Sequence, residues 1–236
     1  MSRKVAFLIL SFFLYGEFHA QTIAGKLELL VNQEIRLEGF NGLKTYLISS
    51  TTLNEEGKFE LEYSNSDYAV GYLISADKKP LFVILNGEYI EISGEALSYV
   101  ETLKVIKGQE NKWFEQYAKE HPRREQALSA WIYLEKTYAQ DPLFSIHKKV
   151  NSSIQKEKTR IIDEDANYLN NLPNDSYVSW FLPTRKFVGS VSAVAQHRTE
   201  EISSTVATFR NVDYTDQRLY KSGLFKDAKV KGLCIV

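Results

Sequence analysis

Cysteine is nearly missing from this chain, with Cys234 the only one in 236 residues. That excludes an intrachain disulfide. It also excludes dithiol chemistry of the Cys-X-X-Cys kind, which needs a second thiol to resolve the mixed disulfide. Metal-ligand spacing is missing too. His121, His147 and His197 stand far apart, with no His-Glu-X-X-His pair or other second ligand at zinc spacing, and are read as core or surface histidines. Gly-rich phosphate loops, a Gly-X-Ser-X-Gly elbow and kinase motifs do not occur, which removes the signatures of the nucleotide-dependent and hydrolase classes. Excess positive charge is lacking as well: 29 Lys and Arg against 30 Asp and Glu leave nothing to attract nucleic acid. No catalytic, cofactor-binding or metal-binding residue is assigned from the sequence, and no cofactor is implied.

Two charge runs remain. Asp163-Glu164-Asp165 places three carboxylates on successive helical positions, which point in different directions and so form a solvated face rather than an acid/base pair or calcium loop. Lys148, Lys149, Lys156, Lys158 and Arg160 form a basic stretch that could meet an acidic partner or lipid headgroup. Glu157 and the acidic run beyond it dilute that charge, and the stretch is read as solvated.

The first twenty residues form a unit of their own. Arg3 and Lys4, an apolar run over residues 5–15 and Phe18-His19-Ala20 before Gln21 make the three-part pattern of a secretory signal peptide. The apolar run is too short to span a bilayer comfortably, although an uncleaved tether is the alternative. Cleavage removes Arg3, Lys4 and Glu17, leaving 27 basic and 29 acidic residues in a periplasmic or exported chain with no membrane span. At 44% hydrophobic and 25% charged, that chain is a folded protein rather than a disordered one.

Residues 21–108 read as strands. Leu27 and Leu29, Ile35 and Leu37, then Phe59, Leu61 and Tyr63 alternate with charged neighbours, the period of half-buried strands. Turn residues at Asn41-Gly42, Glu56-Gly57, residues 64–67, residues 77–80 and Asn86-Gly87 separate the runs. Residues 80–92 are the most ordered stretch. Asn86-Gly87 between two apolar runs predicts a type I′ hairpin in which Val83 faces Ile90 and Leu81 faces Ile92, both strands interior to a sheet covered on both sides. The expectation is seven or eight strands in an antiparallel sandwich or curled sheet.

At Gly108 the period changes to three and four, through Trp113, Phe114 and Tyr117, then Ala127, Trp131, Leu134 and Tyr138. Asp141-Pro142 signals a cap and first turn for a helix whose buried stripe runs through Leu143, His147, Val150, Ile154, Ile161, Asp165, Tyr168 and Leu172, with a possible interruption at Asn151-Ser152-Ser153. Its length would be on the order of 30 residues. Asn174-Asp175-Ser176 predicts the next cap and Pro183 a kink or restart; a stripe over 191–212 and a last short helix at 216–221 follow, ending at Gly223. The fold class is therefore α+β: an N-terminal antiparallel β domain, 21–108, followed by an all-α helical domain, 109–236. No Pro- or Gly/Ser-rich linker marks the seam, so the halves should pack together.

The opening Ile23-Ala24-Gly25-Lys26, the strand start Gly57-Lys58-Phe59-Glu60 and Leu85-Asn86-Gly87-Glu88 closing at Ile92-Ser93-Gly94 resemble a small β domain at the N-termini of exported bacterial thioredoxin-like proteins, which are thiol-disulfide oxidoreductases. Residues 175–186 and 213–224 are similar to the helical connector of the same proteins. The resemblance implies an accessory or recognition module without catalysis of its own, whose partner is another protein or a thioredoxin-like domain that this chain does not carry. Beyond residue 227 the resembled proteins continue into an apolar-periodic helix, and a reading frame cut short near residue 228 is expected. A second reading is a complete binding protein for a peptide or small ligand held between the two halves; a third is an enzyme of unseen chemistry. An aromatic-lined cleft between the halves would favour binding, and a bare apolar face near 210–236 a lost domain. With one thiol, the purified protein should reduce a disulfide substrate under dithiothreitol no faster than the uncatalysed rate; turnover abolished by Cys234→Ser would refute this.

Overall fold

The computed structural model describes residues 21–76 and 79–235; the side chains of residues 196, 197, 199 and 230–235 lie outside the description. The expected signal peptide, residues 1–20, also lies outside the described residues. Eight strands come first: β1 (Gln21–Leu27), β2 (Glu34–Asn41), β3 (Lys44–Thr52), β4 (Lys58–Tyr63), β5 (Ala69–Ser75), β6 (Leu81–Leu85), β7 (Ile90–Gly94) and β8 (Lys104–Lys107). Helices follow: α1 (Gln109–Gln140), α2 (Pro142–Ser145), α3 (Lys148–Asn170), α4 (Tyr177–His197), α5 (Ile202–Arg210), α6 (Gln217–Lys221) and α7 (Leu224–Ile235). The α+β order read from the sequence is the order observed.

The strands form two four-stranded sheets, one in the order β4-β1-β7-β8 and the other β3-β2-β5-β6. Period-two alternation sends Ile23, Leu27, Ile35, Leu37, Leu61, Leu73, Val83, Leu85, Ile90 and Ile92 into one core between the sheets. Complete burial of one such Leu or Ile contributes about 1.5–3 kcal/mol. The outer face of the β4-β1-β7-β8 sheet carries charged residues such as Glu60 and Glu62, whereas that of the other sheet carries Phe40, Val70, Tyr72, Phe82 and Ile84. Those five pack against Phe114, Tyr117, Val178, Phe181, Leu219 and Leu224 from the helices, so the two halves share a second core.

Residues 80–92 do not form the hairpin that Asn86-Gly87 predicts. β6 pairs only with β5 and lies at a sheet edge, while β7 lies inside the opposite sheet between β1 and β8. The link crosses from one sheet to the other. A type I′ turn needs positive φ at both central residues, yet Asn32 is the only non-glycine with positive φ among the described residues; Gly87 alone turns, at φ 92°. Tyr63 fastens the crossing: its hydroxyl donates to the Glu88 carbonyl at 2.8 Å and accepts from the Gly87 amide at 3.2 Å. β7 instead runs parallel to β1, Ile23 opposite Ile90, an exception to an otherwise antiparallel pairing.

The exposed edge of β6 is closed by a side chain. Asn111, in the first turn of α1, accepts from the Ile84 amide and donates to the Ile84 carbonyl, both at 2.8 Å, as a neighbouring strand would. Beside it, the buried Glu110 carboxylate accepts from the first two amides of α4, Tyr177 at 3.1 Å and Val178 at 3.0 Å. The caps read at Asp141 and at residues 174–176 are present, Asp141 and Ser176 each accepting an amide of the helix they precede, and Asp216, read as the first residue of the last short helix, does the same for α6.

Helix lengths differ from expectation. The stripe expected from Leu143 is broken at Ile146-His147, where α2 ends and α3 begins; Leu143 and Ile146 are largely exposed, and 151–153 do not interrupt α3. α4 runs unbroken through Pro183. The Thr184 hydroxyl donates to the Trp180 carbonyl at 2.7 Å beside it. The stripe over 191–212 is divided by a 3₁₀ turn at Thr199–Glu201, and α7 follows Gly223, where the pattern ends the helices.

Gly87→Val tests the crossing. A Cβ at this position would lie 2.3 Å from the Tyr68 hydroxyl oxygen, on a backbone at positive φ. Destabilisation of about 1 kcal/mol or more is expected from a urea melt. An unchanged midpoint would show that the crossing tolerates a side chain.

Candidate functional site

Between the outer face of the β3-β2-β5-β6 sheet and the helices lies a cleft of about 820 Å³. Tyr72 and Phe82, directly opposite one another on β5 and β6, form part of its lining. Phe40, Tyr72 and Phe82 meet edge to face, with centroids 4.5 and 4.6 Å apart, and Phe114 and Phe181 continue the series at 6.3 and 6.0 Å. Edge-to-face rings fix one another's orientation, so this surface is formed without a ligand. Burial pushes the Tyr72 hydroxyl pKa above its ordinary value.

Arg185, on α4, also lines the cleft. Its guanidinium lies over two rings, 4.9 Å from the Phe82 centroid and 5.3 Å from that of Phe114. Among the described residues no carboxylate lies at ion-pair distance from it and no protein group accepts from its five N–H groups, whose nitrogens keep some contact with solvent. Ring faces compensate part of the lost hydration but offer no directional acceptor. Burial pulls the guanidinium pKa below its usual value, yet an arginine side chain stays charged.

The next residue has the opposite circumstance. Lys186 donates to the Asp165 Oδ2 at 2.6 Å. Asp165 also receives the Tyr117 hydroxyl at 3.2 Å and lies 2.9 Å from His121 Nδ1 and 3.5 Å from Arg124 Nη1. His121 stacks on Tyr117 one helical turn away, with centroids 4.7 Å apart. One carboxylate therefore joins α1, α3 and α4. Burial alone would raise the Asp165 pKa; hydrogen bonds from His121 and Lys186 and the charge of Lys186 outweigh it and hold the carboxyl well below the usual range. Such a carboxylate is a counter-ion, not a proton donor.

This corrects the reading of residues 163–165 as one solvated face. Asp163 and Glu164 are exposed, but Asp165 is buried because it falls on the inward stripe with Ile154 and Ile161. The basic stretch is largely solvated: Lys148, Lys149 and Lys156 are exposed, Arg160 pairs with Glu157 and Glu164, and Lys158 pairs with Glu135. His121 joins the Asp165 cluster, and His147 is exposed ahead of α3. The side chains of His197 and Cys234 lie outside the described residues. Among those described, no group of three His, Cys, Asp or Glu side chains could hold a metal, and no helix is long and apolar enough to cross a membrane.

Sequence reasoning missed Arg185 and the cleft-facing role of Tyr72 and Phe82. A signal was present: residues 81–85 are apolar on both faces, which demands a second covering layer, and a charged pair follows Pro183 within an apolar helix. Comparison of the chain with protein-family models, curated proteins and solved structures finds no match.

Asp165→Asn should lower stability at neutral pH by about 3 kcal/mol, because Lys186 would lose its partner in a partly buried site. The folded pKa is depressed, so the stabilisation is complete above the unfolded value near 4 and is lost as pH falls toward the folded one. Melting temperatures measured from pH 7 to 2 should decline less steeply below pH 4 in the variant. Parallel declines would assign the acid sensitivity to other groups.

Proposed function

We propose that this protein is a non-catalytic binding protein that holds a small ligand in the cleft between the sheet and the helices. The observation that carries the reading is the cleft itself, with rings already oriented and a cation without an acceptor. Pockets of this volume are of a size for small organic molecules, and here aromatic and aliphatic side chains share the lining with Arg185, Lys186, Arg198, Glu125, Glu201 and Asp227. Leu219, Leu224 and Ala228 are buried against the rest of the protein, and the side chains of residues 230–236, on which the lost-domain reading turns, lie outside the described residues. Kinship with exported thioredoxin-like proteins, an accessory role beside such a protein and a periplasmic or exported location belong to the same proposal and rest on the sequence pattern.

Gly189 supplies the test. It borders the cleft, and a Cβ added there meets nothing within 4 Å, so Gly189→Trp can narrow the cleft without colliding with the backbone. A panel of small aromatic and aliphatic acids, amines and neutral compounds should contain at least one class that raises the melting temperature of the wild type with concentration. The same compounds should shift Gly189→Trp little. A panel without any stabilising compound, or equal shifts in both proteins, would overturn the binding reading.

A further inference from the structure

Of the lysine and arginine side chains that line the cleft, Lys186 is committed to one oxygen of Asp165, whose other oxygen meets His121, and Arg198 lies 3.4 Å from Glu201. Arg185 alone among them has no anionic partner among the described residues. Glu125 and Asp227 also border the cleft, so a ligand carrying several negative charges would meet repulsion as well as attraction. A guanidinium offers a planar fork whose two parallel N–H groups match a carboxylate, and desolvation by the rings of Phe82 and Phe114 strengthens such a pair. The guanidinium lies over Phe82 and near Tyr72, both half-buried residues of the lining, which favours an apolar body.

We propose that the ligand is a carboxylic acid of single negative charge with an aromatic or aliphatic body, its carboxylate on the Arg185 guanidinium and its body on the Tyr72 and Phe82 surface. This inference rests on the binding reading above and adds the chemical class. The arginine is held ready because α4 is fixed at its N-terminus by Glu110 and at its next residue by the Lys186 pair to Asp165. Little reorganisation is then needed on binding, which favours affinity. A phosphate dianion would find one fork for two charges. A neutral analogue would desolvate the arginine without giving it an acceptor.

A matched set of fluorescent probes separates these cases: 1-pyrenebutyrate, 1-pyrenebutanol and 1-pyrenebutyl phosphate share one body and differ in the head. Titrations followed by fluorescence anisotropy should give the wild type an affinity for the acid about tenfold or more above that for the alcohol, with the phosphate not exceeding the acid. Arg185→Met should bring the acid down to the level of the alcohol, with an unchanged far-ultraviolet circular dichroism spectrum and cooperative melt showing that the variant is folded. Arg185→Lys should recover part of the preference. Equal affinity for acid and alcohol in the wild type, survival of the acid preference in Arg185→Met, or tighter binding of the phosphate would overturn this inference and leave the binding reading standing. Binding of none of the three probes would overturn the inference and count against the cleft as a small-ligand site.

Discussion

The arrangement of this protein depends on two consecutive side chains at the start of α1. An aromatic sheet face can be covered by helices only if the polar backbone groups buried with it find partners, since an orphaned buried amide or carbonyl costs about 1–3 kcal/mol. Asn111 satisfies the edge of β6 and Glu110 satisfies the first amides of α4. Being adjacent, they fix three elements relative to one another: the sheet edge, the helix that crosses it and the helix that carries Arg185. The ring surface of Phe82 and Phe114 lies under the guanidinium because of that geometry.

Arg185 and Lys186 show how one helical step divides two cations between different tasks. Successive helical residues point about 100° apart. One therefore reaches the Asp165 carboxylate, where charge is matched, and the other lies over rings, where it is not. The matched pair gives rigidity to the unmatched residue. A cleft built this way would keep its cation oriented while empty, at the cost of a partly desolvated charge in the unliganded protein.

Features set by residues close in the chain were legible in the sequence. Alternation located the strands, and Asp141 and Ser176 announced their helices, because a cap acts within three residues of itself. Features set by distant partners were not. Asn86-Gly87 has the local signature of a hairpin, yet the edge of β6 is taken by Asn111 and β7 by β1, neither of which local propensity can register. Asp165 could be placed on a buried stripe but not given its partners, which come from α1 and α4. Arg185 had no spacing to mark it, since its significance lies in the absence of a neighbour.

The crossing at Gly87 also governs the order in which the protein can assemble. β2 and β3 can close as a local hairpin, and β5 and β6 as another, soon after they exist. β1 has no such option: it lies between β4 and β7, and Ile23 meets Ile90 only when all the intervening strands have been made. Non-local pairing of this kind slows folding, because the chain must lose loop entropy before the contact rewards it. The earliest strand along the chain is thus among the last to gain both its neighbours, a sequence of events that pulse-labelled hydrogen exchange resolves strand by strand.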